Sequence, residues 1–222
     1  MGDVNSTGWI DRDSLRELPP WLTGLANALS DVDPLEISSF LPPPTGGRPG
    51  AVLILFGETA AGSDLLITQR AAHMRSHAGQ PAFPGGAIDP GDADAVAAAL
   101  REAQEETDLD PGEVTVFGAL PDLWLPPSGF VVSPVLGWWG EGTPVQVGSP
   151  DEVESVHRVL ISELLDPANR VSVRHPIGFV GPGFEVQDML VWGFTAGIIS
   201  RLFDIVGWTL PWDTERHVDI KV

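Results

Sequence analysis

Leucines at positions 15, 18, 22, 25 and 29 recur at three- and four-residue steps, the spacing that lines one face of a helix. Residues 11 to 30 are therefore predicted helical, although Pro19 and Pro20 must interrupt the backbone. The stretch LPPPTGGRPG, Leu41 to Gly50, is too rich in proline and glycine for regular structure and reads as a linker. Residues 1 to 48 are thus expected to form a helical extension and linker ahead of a main body at 49 to 222. That body opens on two β-prone runs, AVLILF (Ala51 to Phe56) and DLLITQR (Asp64 to Arg70), joined through GETAAGS as a hairpin. From Asp94 the pattern turns helical in ADAVAAALREAQEET, preceded by DPGD and stopped at LDPG, where Pro111 cannot continue a helix. EVTVFGAL (Glu113 to Leu120), GFVVSPVLGWW (Gly129 to Trp139) and VESVHRVLI (Val153 to Ile161) then alternate strand with turn. The apolar run from Met189 to Val206 predicts a closing helix, and Arg201 and Asp204 mark it as buried in protein rather than spanning a membrane. Mixed helix and strand over 222 residues place the chain in the α/β (α+β) class, one compact domain plus the extension, without internal repeats.

Charge narrows the function. With 31 acidic against 12 basic residues the net charge is -19, which repels nucleic acid and anionic membrane surfaces, so neither is an expected partner. An acidic protein that handles an anionic ligand needs metal cations or a localised basic patch. Cysteine is absent, which excludes disulfides and thiolate metal sites. No segment has the character of a signal peptide, and a cytoplasmic location is the expectation. A homodimer is the default expectation for assembly, through the N-terminal helix or the tryptophan-bearing strands.

The acid is concentrated in REAQEETDLD, Arg101 to Asp110. On a helix, Glu102, Glu105 and Glu106 fall within roughly a 100° arc, because positions three and four apart are neighbours. Like charges at those spacings cost about 0.2–0.5 kcal/mol per pair, and Arg101 is expected to compensate only Glu105, its i+4 partner. A solvated acidic face is the bland account. Against it, Arg101 is the only basic residue between Arg75 and Arg158, so the interspersed lysines of a salt-bridged surface helix are missing. A hard divalent cation turns the same repulsion into binding, since Mg²⁺ takes oxygen ligands and sits between carboxylates and phosphates.

Upstream, LLITQRAAHMRSHAGQPAFPGGAIDPGD (Leu65 to Asp92) leads from a strand through a long loop into that helix. FPGG followed by ALREAQEE resembles the Nudix box, the loop-helix-loop signature of hydrolases that cleave a nucleoside diphosphate linked to another group. Arg101 to Leu109 matches the box at every position but one, Asp108, which stands where a glycine is expected. Aspartate is among the few residues that tolerate the left-handed conformation wanted at a helix end. Gly86 to Arg101 is one residue longer than the general pattern, so the acidic position of the box falls on Asp92 or Asp94. This longer spacing is characteristic of the coenzyme A pyrophosphatase branch. That branch's upstream signature is similar to this chain at Leu66, Thr68, Arg70, Ala71, Arg75, Gly79, Phe83, Pro84, Gly85 and Gly86.

The resemblance implies a Nudix-type α/β/α sandwich with a mixed sheet, and hydrolysis of the pyrophosphate bond of coenzyme A or acyl-CoA with Mg²⁺ or Mn²⁺. It implies Glu102, Glu105 and Glu106 as metal ligands, with the Gly86 carbonyl as a further one, and Arg101 as their brace. The general base in this family is a helix glutamate or one on a later loop. Glu105 is preferred here, with Glu152 and Glu154 in SPDEVESV as the loop candidates. Arg70 and Arg75 are the expected phosphate contacts, because guanidinium matches phosphate bidentately. Gly85 and Gly86 allow close approach of the ligand, and His77, ahead of His73, lies beside the arginines as a further donor. Trp124, Trp138 and Trp139 are assigned to packing ahead of stacking on adenine. Two alternatives stay open: a Nudix pyrophosphatase for ADP-ribose or NADH, and a Nudix module that senses nucleotide without cleaving it.

Overall fold

A computed structural model of the chain describes residues 8–74, 78–126 and 128–220. Strand β1 (Trp9–Ile10) precedes helices α1 (Pro20–Leu29) and α2 (Pro34–Ile37). Strands β2 (Arg48–Thr59), β3 (Gly62–Arg70), β4 (Pro81–Ala82) and β5 (Gly85–Ala87) lead into helix α3 (Ala95–Thr107). Strands β6 (Thr115–Ala119), β7 (Leu123–Leu125), β8 (Phe130–Trp138) and β9 (Val153–Leu160) follow, then helix α4 (Ile161–Leu165). The chain ends through β10 (Arg170–Arg174), β11 (Val180–Val186), β12 (Met189–Val191), helix α5 (Gly193–Ile205) and β13 (His217–Asp219).

The first nine strands form one mixed sheet. Strands β2 and β8 run parallel at its centre, and β2 also pairs antiparallel with β3 and β5. Period-two alternation along β2 divides its side chains between two layers. Ala51, Leu53 and Leu55 pack under the alanines of α3, Ala98, Ala99 and Ala103. Ile54 and Phe56 point the other way, into a larger cluster with Leu22 and Leu25 of α1 and Ile199, Leu202 and Phe203 of α5. The sheet is thus sandwiched between α3 on one face and α1 with α5 on the other. Small alanines let α3 lie close to the strands, which brings its polar face near the β4–β5 segment.

Four details depart from the sequence expectation. The helix expected over 11 to 30 begins only at Pro20, the first-turn position that tolerates proline because its missing N–H has no intrahelical partner. The expected linker gives way to β2 already at Arg48. Met189–Val191 is a strand, and the closing helix starts after it at Gly193, whose φ of 65° makes the turn. Strands β10 to β13 form a second, four-stranded sheet that was not anticipated. Among the described residues no helix is long and apolar enough to cross a membrane.

Candidate active site

Helix α3 is capped at its start by Asp94, whose side chain accepts from the Ala97 N–H at 2.9 Å. Asp94 is therefore spent on the helix end. Asp92 instead faces Arg101, accepting from Nε and from Nη2 at 3.0 Å each, a two-pronged contact. The Arg101 guanidinium holds the Asp92 carboxyl below the usual carboxylate range. Arg101 does more than compensate its i+4 neighbour: its Nη1 donates to Glu102 at 3.0 Å as well as to Glu105 at 3.1 Å, and its Nη2 donates to the Ala87 carbonyl at 3.2 Å. One anchored guanidinium thus serves two glutamates of the helix.

The glutamates differ in setting. Glu105 is 57% exposed at its side chain, Glu102 14% and Glu106 only 3%, so the cluster runs from solvent into the protein. Burial raises the Glu102 carboxyl above its ordinary value, against the opposing pull of Arg101. Burial pushes Glu106 up to about 8, although Arg70 and the Gly85 N–H both favour its charged form. That N–H donates to Glu106 at 3.2 Å, and Arg70 Nη1 lies 3.7 Å from it.

Space requires glycine at position 85, and glycine at position 86 leaves the Glu102 carboxylate where a side chain would otherwise stand. A Cβ at Gly85 would stand 2.4 Å from the Ala51 carbonyl oxygen across the β2–β5 pair. At Gly86 it would stand 2.6 Å from the Glu102 carboxylate. Glu102 therefore lies against bare main chain.

The far end of α3 is closed by the loop after β8. Gln146 and Gly148 donate their N–H groups to the carbonyls of Thr107 and Glu106 at 3.1 and 3.0 Å, satisfying carbonyls that the helix leaves open. Asp108 takes the left-handed conformation, with φ 58° and ψ 22°, and accepts from the Gln146 side chain at 2.7 Å. The same loop delivers Glu152, whose carbonyl accepts from the Ala71 N–H at 2.8 Å, next to Arg70. The Glu152 side chain is exposed, and its charge helps raise the carboxyls of Glu102 and Glu106. Glu154 is exposed on β9.

The site thus gathers Arg70, Gly85, Gly86, Arg101, Glu102, Glu105, Glu106 and Glu152. Arg75 and His77 lie outside the described residues, and His73 is exposed. Trp138 packs edge-on against Trp21 at 6.0 Å, and buried Trp139 lies under Arg158 at 4.5 Å, as packing residues do. Among the described residues no three histidine, aspartate or glutamate side chains stand in ligating arrangement. In this arrangement Arg101 draws Glu102 and Glu105, while Glu106 faces Arg70 and Gly85. The pairing of Asp92 with Arg101 and the reach of Arg101 to Glu102 were not derivable from helical spacing, because both depend on how the loop folds back.

A family profile described as NUDIX domain matches residues 47–177, more than half of the chain. The chain belongs to the Nudix domain family. It is 43% identical over 162 residues to an uncharacterized Nudix hydrolase, NudL, of Citrobacter koseri, covering 70% of this chain and 81% of that one. It is 41% identical over 145 residues to NudL of Escherichia coli K12, covering 62% of this chain and 72% of that one. Among solved structures, the Nudix hydrolase RenU of M. smegmatis aligns with a TM-score of 0.52 at 18% identity, covering 76% of this chain and 91% of RenU, a likeness of fold. The protein is accordingly an enzyme of the Nudix pyrophosphatase type, a family that generally works with divalent metals such as Mg²⁺ or Mn²⁺.

Proposed function

We propose that this Nudix enzyme hydrolyses the pyrophosphate bridge of coenzyme A and its thioesters, giving 4'-phosphopantetheine or its acyl form and adenosine 3',5'-bisphosphate. The observation that carries this reading is the approach of Arg70 to Glu106 at 3.7 Å. Arg70 belongs to the upstream signature and Glu106 to the Nudix box, so two stretches matched separately along the chain meet at one place.

The donor chemistry suits a hard divalent cation. Every candidate ligand is an oxygen, from Glu102, Glu105, Glu106 and the Gly86 carbonyl, and Gly86 leaves room for the Glu102 carboxylate where a side chain would fill it. When bound, Mg²⁺ or Mn²⁺ neutralises phosphate charge and acidifies water. Arg101, fixed by Asp92, braces Glu102 and Glu105. The exposed Glu105 carboxylate orients the attacking water and takes its proton, and Glu152 is the alternative base at the edge of the site. Arg70, with Arg75 and His77 that follow it in the sequence, contacts the phosphates of a small-molecule substrate.

The test is incubation of the purified protein with Mg²⁺ or Mn²⁺ and, separately, coenzyme A, ADP-ribose and NADH, with products followed by chromatography. The expected outcome is adenosine 3',5'-bisphosphate from coenzyme A. Turnover of ADP-ribose or NADH without turnover of coenzyme A would overturn the substrate assignment. Nucleotide binding without any turnover would instead favour a sensor.

A further inference from the structure

The two arginines of the site are held very differently. Arg101 is fastened by two bonds to Asp92, by the Ala87 carbonyl and by two glutamates. Arg70 faces Glu106 at 3.7 Å, beyond hydrogen-bond reach, and its Nε is buried with no hydrogen-bond partner among the described residues. Its backbone is nonetheless fixed, its N–H donating to Gln80 O and its carbonyl accepting from Gly79 N–H, both at 3.1 Å. A shift of register between Gln69 and Arg70 in the β3–β9 pair accompanies this, and such an irregularity re-aims a side chain. A guanidinium that is positioned but poorly satisfied thus faces a carboxylate only 3% exposed without being bonded to it.

We propose that Arg70 is a place-holding cation for Glu106, displaced when a divalent metal binds there and thereby released to grip the substrate's pyrophosphate. The proposal rests on the reading of Glu106 as a metal ligand. Two positive charges do not share one buried carboxylate without repulsion, so a metal on Glu106 weakens the hold on Arg70. The unpartnered Nε, with its neighbouring Nη, then forms the fork that binds two phosphate oxygens at once. Metal and anion are coupled through this side chain, and coupling of this kind is reciprocal, typically about 5- to 150-fold in affinity. Arg101 plays no such part, because Asp92 holds it in place.

The inference is checked by calorimetric titration of wild type, Arg70→Gln and Arg70→Lys with Mg²⁺ alone, well above the pH at which Glu106 ionises. Methylenediphosphonate, a bridge that cannot be hydrolysed, is then added to the metal-saturated proteins. Arg70→Gln removes the competitor, so it is expected to bind Mg²⁺ several-fold more tightly and the diphosphonate at least about fivefold more weakly. Arg70→Lys keeps the charge but loses the fork, so Mg²⁺ affinity should stay near wild type while diphosphonate affinity falls. Unchanged or weaker Mg²⁺ binding in a folded Arg70→Gln protein would overturn the proposal, as would wild-type diphosphonate binding by both variants. Neither probe is coenzyme A, so failure of the substrate assignment in the turnover assay leaves these titrations interpretable.

Discussion

Glu106 shows how burial and chemistry compete at one residue. Its carboxyl is pushed up to about 8 in the folded protein, against an ordinary 4.5. The folded, metal-free state therefore holds a proton that the unfolded state has released across that interval. Stability from this group is present at low pH and is lost as pH rises from about 4.5 through 8. Glu106→Gln removes the ionisation, so the metal-free variant should unfold at higher urea than wild type at alkaline pH, with the difference shrinking towards pH 5. The same variant should lose about 10²- to 10³-fold in kcat, the usual scale when a charge-stabilising group is removed from an active site. Wild-type turnover in the variant would take Glu106 out of the metal site, and a stability curve parallel to wild type would contradict the buried carboxyl. Asp108 presents the opposite case, since its left-handed backbone, tolerable for aspartate, is matched by the Gln146 amide on its side chain.

Helix α1 shows what an element contributes beyond its sequence label. Read along the chain it is part of an extension, yet Leu22, Leu25, Ala26 and Leu29 lie in the same cluster as Phe56 of β2 and Phe203 of α5. Leu25 is fully buried, and Leu25→Ala should cost about 2–5 kcal/mol in urea unfolding, whereas a detachable arm would show no change. Elements were legible where periodicity was clean, as in β2, β3 and α3. They were not legible at the C-terminal sheet. Its strands are short, Pro182 and Gly183 break the β-prone pattern within β11, and Arg170 is buried between the rings of Phe184 and Trp212, which reverses the usual meaning of a charged residue. Met189–Val191 joined a continuous apolar run whose division into strand and helix depends on one glycine turn.

At the scale of the whole molecule, a net charge of -19 means that cations of any kind are attracted, so specific and diffuse effects must be separated. A metal site on α3 predicts that Mg²⁺ at about a hundred times its Kd stabilises the fold by about 2.7 kcal/mol, reversibly on chelation. Monovalent salt at matched ionic strength should give much less in a thermal melt, and equal shifts would assign the effect to general screening. Most of the site could be read from the chain because its residues lie in two nearly adjacent segments, Arg70 to Gly86 and Arg101 to Glu106. What escaped was tertiary: the fold-back of Asp92 onto Arg101, and the bond from the Ala71 N–H to the Glu152 carbonyl. The Glu102 carboxylate resting on Gly86 carries a different kind of consequence. This position offers no functional group; a methyl group added there would stand 2.6 Å from the carboxylate, so alanine would force Glu102 to shift. The absence of a side chain thus sets where a charged neighbour lies, a role performed without any hydrogen bond or charge of its own.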